Sequence, residues 1–220
     1  MLETGYDILF FWVARMILMS TYLTGQIPFE TVYLHGLVRD EKGRKMSKSL
    51  GNGIDPIDVS KQFGADAVRL SLIIGVGPGA DSNLGENKIR AYKKFANILW
   101  NITRFVQEST VNFTPDQSFD TYTKVDQKIR DERDLLFTEV TKEIKEYKLY
   151  LAGEKLYHYT WHTFADEILE ESKKIFAEGT DEEKISRKHL LIETLEYILK
   201  GLLPFTPFIT EEIYQSLPHT

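Results

Sequence analysis

The chain has no cysteine among its 220 residues. That excludes a disulfide framework and any zinc site built on thiolates, and it is compatible with a reducing compartment. Positive charge is not in excess either: 27 Lys and Arg against 33 Asp and Glu leave a formal charge of −6. A general nucleic-acid binder is usually basic overall, so any contact with RNA has to come from local basic patches. Long hydrophobic runs are missing too. The most apolar stretch, residues 8–19 (ILFFWVARMILM), is shorter than a membrane span and is interrupted by Arg15. No basic segment precedes it, so it does not read as a signal peptide. No internal repeat occurs. What is present is an ordinary apolar fraction of 42%, enough for a packed core, and a length that fits one large domain or two small ones.

Residues 2–5 read as a short extended segment, with no leading strand evident for the residues near Gly5 to join. Asp7 is placed to cap a helix from about Ile8 to Tyr22. That helix is apolar on nearly every side, which predicts burial. Thr24-Gly25-Gln26-Ile27-Pro28 breaks it, and residues 31–37, rich in β-branched and aromatic side chains, predict a strand. Helix, strand and loop make half of an α/β unit. Asp55-Pro56 opens a short helix to about Gln62, with proline at its first position. Gly64-Ala65-Asp66 starts another through Ile74. Residues 75–86 begin Gly-Val-Gly-Pro-Gly and are the expected domain boundary, dividing 1–85 from 86–220.

From Asn87 the pattern is helical. Ile89, Tyr92, Phe95, Leu99, Ile102 and Val106 recur at steps of three and four, giving one apolar face. Residues 110–123 form a polar linker containing Pro115. Val125, Ile129, Leu136, Val140, Ile144, Tyr147 and Leu151 mark a second long helix, and Tyr157, Trp161, Phe164, Ile168 and Ile175 a third. Thr180-Asp181-Glu182-Glu183 has the form of a capping box before a fourth. Pro204 ends it, and Thr206-Pro207 opens a short last helix. Four long amphipathic helices with short connections predict an antiparallel bundle.

Chemistry concentrates in residues 35–52, HGLVRDEKGRKMSKSLGN. Lys42, Arg44, Lys45 and Lys48 fall within seven positions, among Ser47 and Ser49 and bracketed by Gly43 and Gly51. A glycine-bounded cationic loop suits a polyphosphate, with charge from ammonium groups and hydrogen bonds from hydroxyls and backbone N–H. The plain alternative is a solvated basic loop. His158 and His162 share a helix face, but Tyr159 stands where a zincin needs Glu, and no metal site is expected.

The order Lys45-Met46-Ser47-Lys48-Ser49 resembles the signature loop of class I aminoacyl-tRNA synthetases. The strings Gly5–Met16 (GYDILFFWVARM) and His35–Asp40 (HGLVRD) resemble the valyl family in particular; isoleucyl and leucyl relatives share the loop but not usually those strings. Farther on, residues 97–101, 104–106, 161–166 and 204–214 resemble that family's anticodon-binding helical domain. The resemblance implies a mostly α chain: a remnant of a Rossmann-like α/β catalytic domain carrying the loop, then an antiparallel helical bundle. It implies ATP-dependent activation of valine as an adenylate, with Mg2+, and transfer to tRNA(Val), by a cytoplasmic monomer with no membrane partner.

In that reading Lys45 and Lys48 stabilise charge on the departing pyrophosphate, with Met46, Ser47 and Ser49 completing the ATP loop. Gly5 and Asp7 match an element near the ribose, and His35 and Gly36 one near the adenine. Trp12 falls on the amino-acid pocket. Each keeps a plain alternative: Asp7 as a helix cap, Trp12 as core, His35 as a polar residue at a strand end. Lys93, Lys94 and Arg104 on the first bundle helix, and Lys145 and Lys148 on the second, are the candidates for tRNA phosphates. The family's His-x-Gly-His signature, editing insertion and C-terminal coiled coil have no counterpart here. The expectation is therefore the later part of a catalytic core plus an anticodon-binding domain, inactive alone. A stand-alone tRNA-binding module and the isoleucyl or leucyl relative are the alternatives.

Overall fold

The computed structural model describes residues 1–47, 49–116 and 119–217. They form two compact units: Met1–Asp55 with Gly75–Glu86, and Pro56–Ile74 with Asn87–Thr220. By packing, the two short helices after residue 55 go with the later helices, and residues 75–86 go with the N-terminal unit.

In the first unit, β1 (Leu2–Gly5) runs parallel to β2 (Val32–His35), with Leu2 opposite Val32 and Gly5 opposite His35. Parallel neighbours need a crossover. A 3-10 turn (Tyr6–Ile8), a π-helical segment (Leu9–Ala14) and α1 (Arg15–Thr24) supply it. The expected half-unit is therefore a whole strand–helix–strand crossover; four residues of β1 are too few to carry a periodic signal. Gly25, at φ 69°, closes α1 by donating to the Thr21 carbonyl, a left-handed cap that glycine adopts without steric cost.

Two expectations about this segment are corrected. Asp7 is not a helix N-cap. The chain turns from β1 straight into the helical run, so the cap position falls on Gly5, and Asp7 lies inside the 3-10 turn. Nor is the helix buried: Val13 is buried, whereas Phe10 is 76% and Tyr22 86% exposed. No second layer of this unit's described residues covers it, and composition reports a capacity for burial rather than burial itself. The helical run is also longer than the apolar stretch read from sequence. Tyr6–Thr24, 19 residues with Arg15 near its middle, is long and apolar enough to cross a membrane by length and composition alone.

A second parallel pair joins β3 (Val38–Arg39) to β4 (Ser82–Asn83). At the entry to β3 a Cβ on Gly36 would run into the Ala80 carbonyl, so this close approach of backbones requires glycine.

The second unit holds α2 (Pro56–Phe63), α3 (Ala65–Ile73), α4 (Glu86–Ser109), α5 (Lys124–Lys145), α6 (Leu149–His158), α7 (Glu170–Glu178), α8 (Asp181–Leu202) and α9 (Pro207–Ser216). Its core gathers Leu70, Phe95, Leu99, Ile102, Leu156, Phe164, Leu195, Ile198 and Phe205. Of the face predicted for α4, five residues are buried and Tyr92 is partly buried. Two side chains on α3 tie the junction of α8 and α9. Asp66 accepts from the N–H groups of Phe208 (3.3 Å) and Ile209 (2.7 Å), and Arg69 donates to the carbonyls of Pro204 (2.8 Å) and Phe205 (3.1 Å). Backbone groups left unpaired at helix ends are satisfied this way.

The second and third expected helices divide elsewhere. α5 stops at Lys145, not near Leu151, because Tyr147 turns left-handed (φ 59°) and the Lys148 N–H bonds back to the Glu143 carbonyl at 2.8 Å. Val125 and Tyr147, placed on the apolar face, are exposed. A single helical run then goes from Leu149 to Glu178, α6 and α7 being joined by a π-helical segment over Tyr159–Leu169. Within it Tyr159, Thr160, Phe164, Ile168 and Leu169 are buried, a broader stripe than the positions Trp161, Phe164 and Ile168 expected there.

Thr180 and Glu183 form both bonds of the capping box at the start of α8. Further along, Arg187 is fully buried against Asp126 (2.7 Å), and Ser186 donates to the same carboxylate at 2.6 Å. Removing one partner of such a pair typically costs about 3–5 kcal/mol, because the other charge stays buried.

Candidate functional site

The loop between β3 and α2 is folded around Asp40. Arg39, at its base, donates to Asp81 Oδ2 at 2.6 Å and to the Gly43 carbonyl at 3.3 Å, and Asp81 Oδ1 accepts from the Leu37 N–H at 2.7 Å. The carboxylate of Asp40 accepts from the N–H groups of Lys42 (3.0 Å) and Arg44 (2.9 Å), from Arg44 Nε (2.8 Å) and from Asn52 Nδ2 (2.9 Å). Gly43 and Gly51 both adopt positive φ, 75° and 61°, so the chain reverses where the sequence places its two glycines. Lys45 pairs by backbone with Arg39 as an isolated antiparallel bridge.

Asn52 reaches back under the loop. Its amide nitrogen also donates to the Lys45 carbonyl at 3.3 Å, and its oxygen accepts from the Ser47 N–H at 3.0 Å. Ser47 and Ser49 share a hydroxyl contact of 3.1 Å, and Ser47 Oγ accepts from the Leu50 N–H at 3.3 Å. Lys45 is exposed, while Met46 and Ser47 are half-buried. Lys48, the other cation assigned to ATP, lies outside the described residues.

Electrostatics follow from these contacts. The Asn52 amide, then the Arg44 N–H and guanidinium, outweigh partial burial and hold the Asp40 carboxyl well below the usual carboxylate range. The Leu37 N–H first, with Arg39 next, lowers that of Asp81. The loop thus carries fixed negative charge inward and leaves lysine ammonium outward.

Gly5, Asp7, His35 and Gly36 lie together at the ends of β1 and β2. A Cβ built on Gly5 would stand 2.8 Å from Asp7 Oδ1 and 3.5 Å from His35 Cε1. His35 Nδ1 contacts the Gly36 carbonyl at 2.8 Å, and Nε2 faces Glu3 at 3.3 Å. Trp12 is 44% exposed on the π-helical segment, so it is not core.

The five cations expected to face tRNA are all exposed, on the second unit. Lys93 donates to the Gln62 carbonyl at 3.1 Å and sits over the Phe63 ring. Arg104 pairs with Glu108 at 3.5 Å, and Lys148 with Glu146 at 2.7 Å. Exposed pairs of this kind contribute ~0–1 kcal/mol and give way readily to a phosphate. Lys145 lines an open groove of about 750 Å³ together with Lys142, Thr138 and Thr141. His158 and His162 have ring centroids 4.8 Å apart. Among the described residues, no group of three His, Asp or Glu is placed to hold a metal ion.

Comparison with known proteins bears on both units. Residues 1–85 match the model for tRNA synthetases class I (I, L, M and V), and residues 126–220 match the anticodon-binding domain of tRNA ligase. Valine–tRNA ligase of Lactobacillus johnsonii is 45% identical over 224 residues, covering 99% of this chain and 25% of its own length. That of Clostridium acetobutylicum is 44% identical, covering 98% and 25%. The chain thus spans about a quarter of the length of the curated relatives it matches. In fold it is similar to a LeuRS–tRNA–LeuAMS complex from Agrobacterium radiobacter K84, with a TM-score of 0.83 and 22% identity over 99% of this chain and 27% of that one. It is also similar to Mycobacterium tuberculosis methionyl-tRNA synthetase with methionyl-adenylate, with a TM-score of 0.74 and 22% identity over 96% and 43%.

Proposed function

The chain belongs to the valyl family of class I aminoacyl-tRNA synthetases, and on that premise we propose that it provides the nucleotide-phosphate loop and the tRNA-binding bundle of a valine–tRNA ligase. The observation that carries this reading is the loop over residues 40–47 and 49–52: a glycine-hinged turn with its carboxylate bonded inward and Lys45 exposed. The strand–helix–strand crossover and the β3–β4 pair are read as part of a Rossmann-like catalytic domain, and residues 86–220 as the anticodon-binding domain.

When an acyl adenylate forms, negative charge builds on the departing pyrophosphate. Cations already held in place lower that barrier, since no reorganisation is needed as the reaction proceeds. Lys45 and Lys48 are assigned this role, with Met46, Ser47, Ser49 and backbone N–H groups completing the phosphate contact. Gly5 gives the backbone room beside the ribose, where Asp7 can accept two hydrogen bonds from a diol. His35 and Gly36 stand beside them, toward the base. The half-exposed indole of Trp12 offers a flat wall for a branched aliphatic side chain. Mg2+ is expected to come with the nucleotide. The described residues contain no carboxylate or histidine cluster that would hold it, so no step is assigned to it. Lys93, Lys94, Arg104, Lys145 and Lys148 are assigned to tRNA phosphates. The working protein is taken as a cytoplasmic monomer.

Titrating MgATP into the isotopically labelled chain tests the nucleotide assignment. Amide shifts confined to residues 5–7 and 35–52, weakened about tenfold or more by the Lys45→Ala and Lys48→Ala pair, are expected. Turnover is not, because positioning of both reactants supplies most of this catalysis. No shift in residues 35–52 by about 1 mM MgATP contradicts the nucleotide assignment; ATP–pyrophosphate exchange at the rate of a full-length ligase contradicts the expectation that the chain alone does not turn over.

A further inference from the structure

We propose that Asp40 and Asn52 form a clasp that presets the cationic loop for a polyphosphate, and that Asn52 is a positioning residue for Lys45 and Ser47. The inference rests on the nucleotide reading above and adds to it two residues that the signature itself does not contain.

The clasp crosses twelve residues of sequence. On one side Asn52 Nδ2 donates to Asp40 Oδ2 (2.9 Å) and to the Lys45 carbonyl (3.3 Å); on the other, Asn52 Oδ1 accepts from the Ser47 N–H (3.0 Å). A side-chain amide, with two N–H donors and an acceptor oxygen, can donate to a carboxylate and a carbonyl and accept from an N–H at once. Gly51, at φ 61°, makes the reversal that brings Asn52 under the loop. Asp40 in turn takes up the Arg44 guanidinium (2.8 Å), so one cation of the run is spent on structure and the exposed Lys45 is left to face a ligand.

A loop that must be ordered on binding weakens the complex by the entropy it loses. Bonds from Asn52 to the Lys45 carbonyl and the Ser47 N–H fix that backbone beforehand. Lys45 and Ser47 need not be organised by the phosphate itself.

Asn52→Asp separates positioning from mere presence. The side chain keeps its size and its acceptor toward Ser47, but it loses both donated bonds and sets a second carboxylate against Asp40. Reversing the pair, Asp40→Asn with Asn52→Asp, restores one amide–carboxylate bond in the opposite sense but sets an amide N–H against the Arg44 guanidinium. The probe is inorganic triphosphate, with binding read at the loop amides; an unchanged spectrum outside residues 35–52 shows that the fold is kept. Asn52→Ala serves as a second variant if Asn52→Asp does not fold.

We expect Asn52→Asp to weaken triphosphate binding about tenfold or more, the scale of a lost charge-assisted hydrogen bond. The reversed pair should recover part of that loss, since one of the two donated bonds returns while the Arg44 bonds to Asp40 Oδ2 are lost. The deficit of Asn52→Asp relative to the parent should narrow as pH falls, because two adjacent carboxylates raise one pKa and a shared proton restores a donor. Parent-like binding by Asn52→Asp overturns the clasp. A parent chain that binds no triphosphate defeats the nucleotide reading itself, which is a different result from either.

Discussion

At the scale of single residues, the loop is held by carboxylates that resist protonation. Asp40 and Asp81 both titrate below the ordinary carboxylate range, Asp40 through Asn52 and Arg44, Asp81 through the Leu37 N–H and Arg39. A carboxyl depressed in the folded state contributes stability that is complete above its unfolded value and is lost as pH falls through the folded one. The amides of Leu37 and Arg44 should therefore keep their positions as pH is lowered to about 4, the ordinary carboxylate value, and move only below it. A two-dimensional amide spectrum followed across that range checks this; movement centred between about pH 5 and 6 contradicts it. Part of this was legible in the sequence. Lys45-Met46-Ser47-Lys48-Ser49 is a contiguous string, and Gly43 and Gly51 announce their turns. Asp40 and Asn52 lie in the same stretch, but their roles depend on where the chain folds back, and no local pattern encodes a bond across twelve residues.

At the scale of elements, the reading from sequence succeeded where a signal is local and failed where one residue departs from its usual behaviour. The capping box at Thr180 and the apolar face of α4 follow patterns that the backbone obeys. The end of α5 does not. Its left-handed residue is Tyr147, where glycine or asparagine would have given notice. The π-helical segment over Tyr159–Leu169 gives no local notice either, because its buried Thr160, Phe164 and Ile168 fall at steps of four, as an α-helix would place them. Left-handed backbone costs an L-residue about 1–2 kcal/mol. Glycine escapes that cost but adds entropy to the unfolded chain. Tyr147→Gly should accordingly leave stability unchanged or raise it by up to ~1 kcal/mol in urea unfolding. A loss above about 1 kcal/mol would mean that the exposed ring makes contacts that outweigh the backbone.

At the scale of the whole molecule, the sequence pattern placed the helical bundle but not the grouping of the short helices. α2 and α3 fall within the expected 1–85 domain, yet Asp66 and Arg69 fasten α3 to the turn between α8 and α9, about 140 residues along the chain. Contacts so distant in sequence leave no local trace. The exposed helix at Tyr6–Thr24 was misjudged for the opposite reason, since its composition describes what it can bury and not what covers it. Net charge is −6, so binding of RNA by general attraction is weak, and any strong binding has to come from the placed cations of α4 and the end of α5.

A filter-binding titration of this chain against tRNA(Val) and a mismatched tRNA, repeated at two salt concentrations, tests that reading most directly. Tighter binding of tRNA(Val) is expected, with the preference kept as salt rises and with Lys145→Ala and Lys148→Ala weakening both tRNAs alike. Equal, weak binding of the two tRNAs that disappears with salt would contradict it.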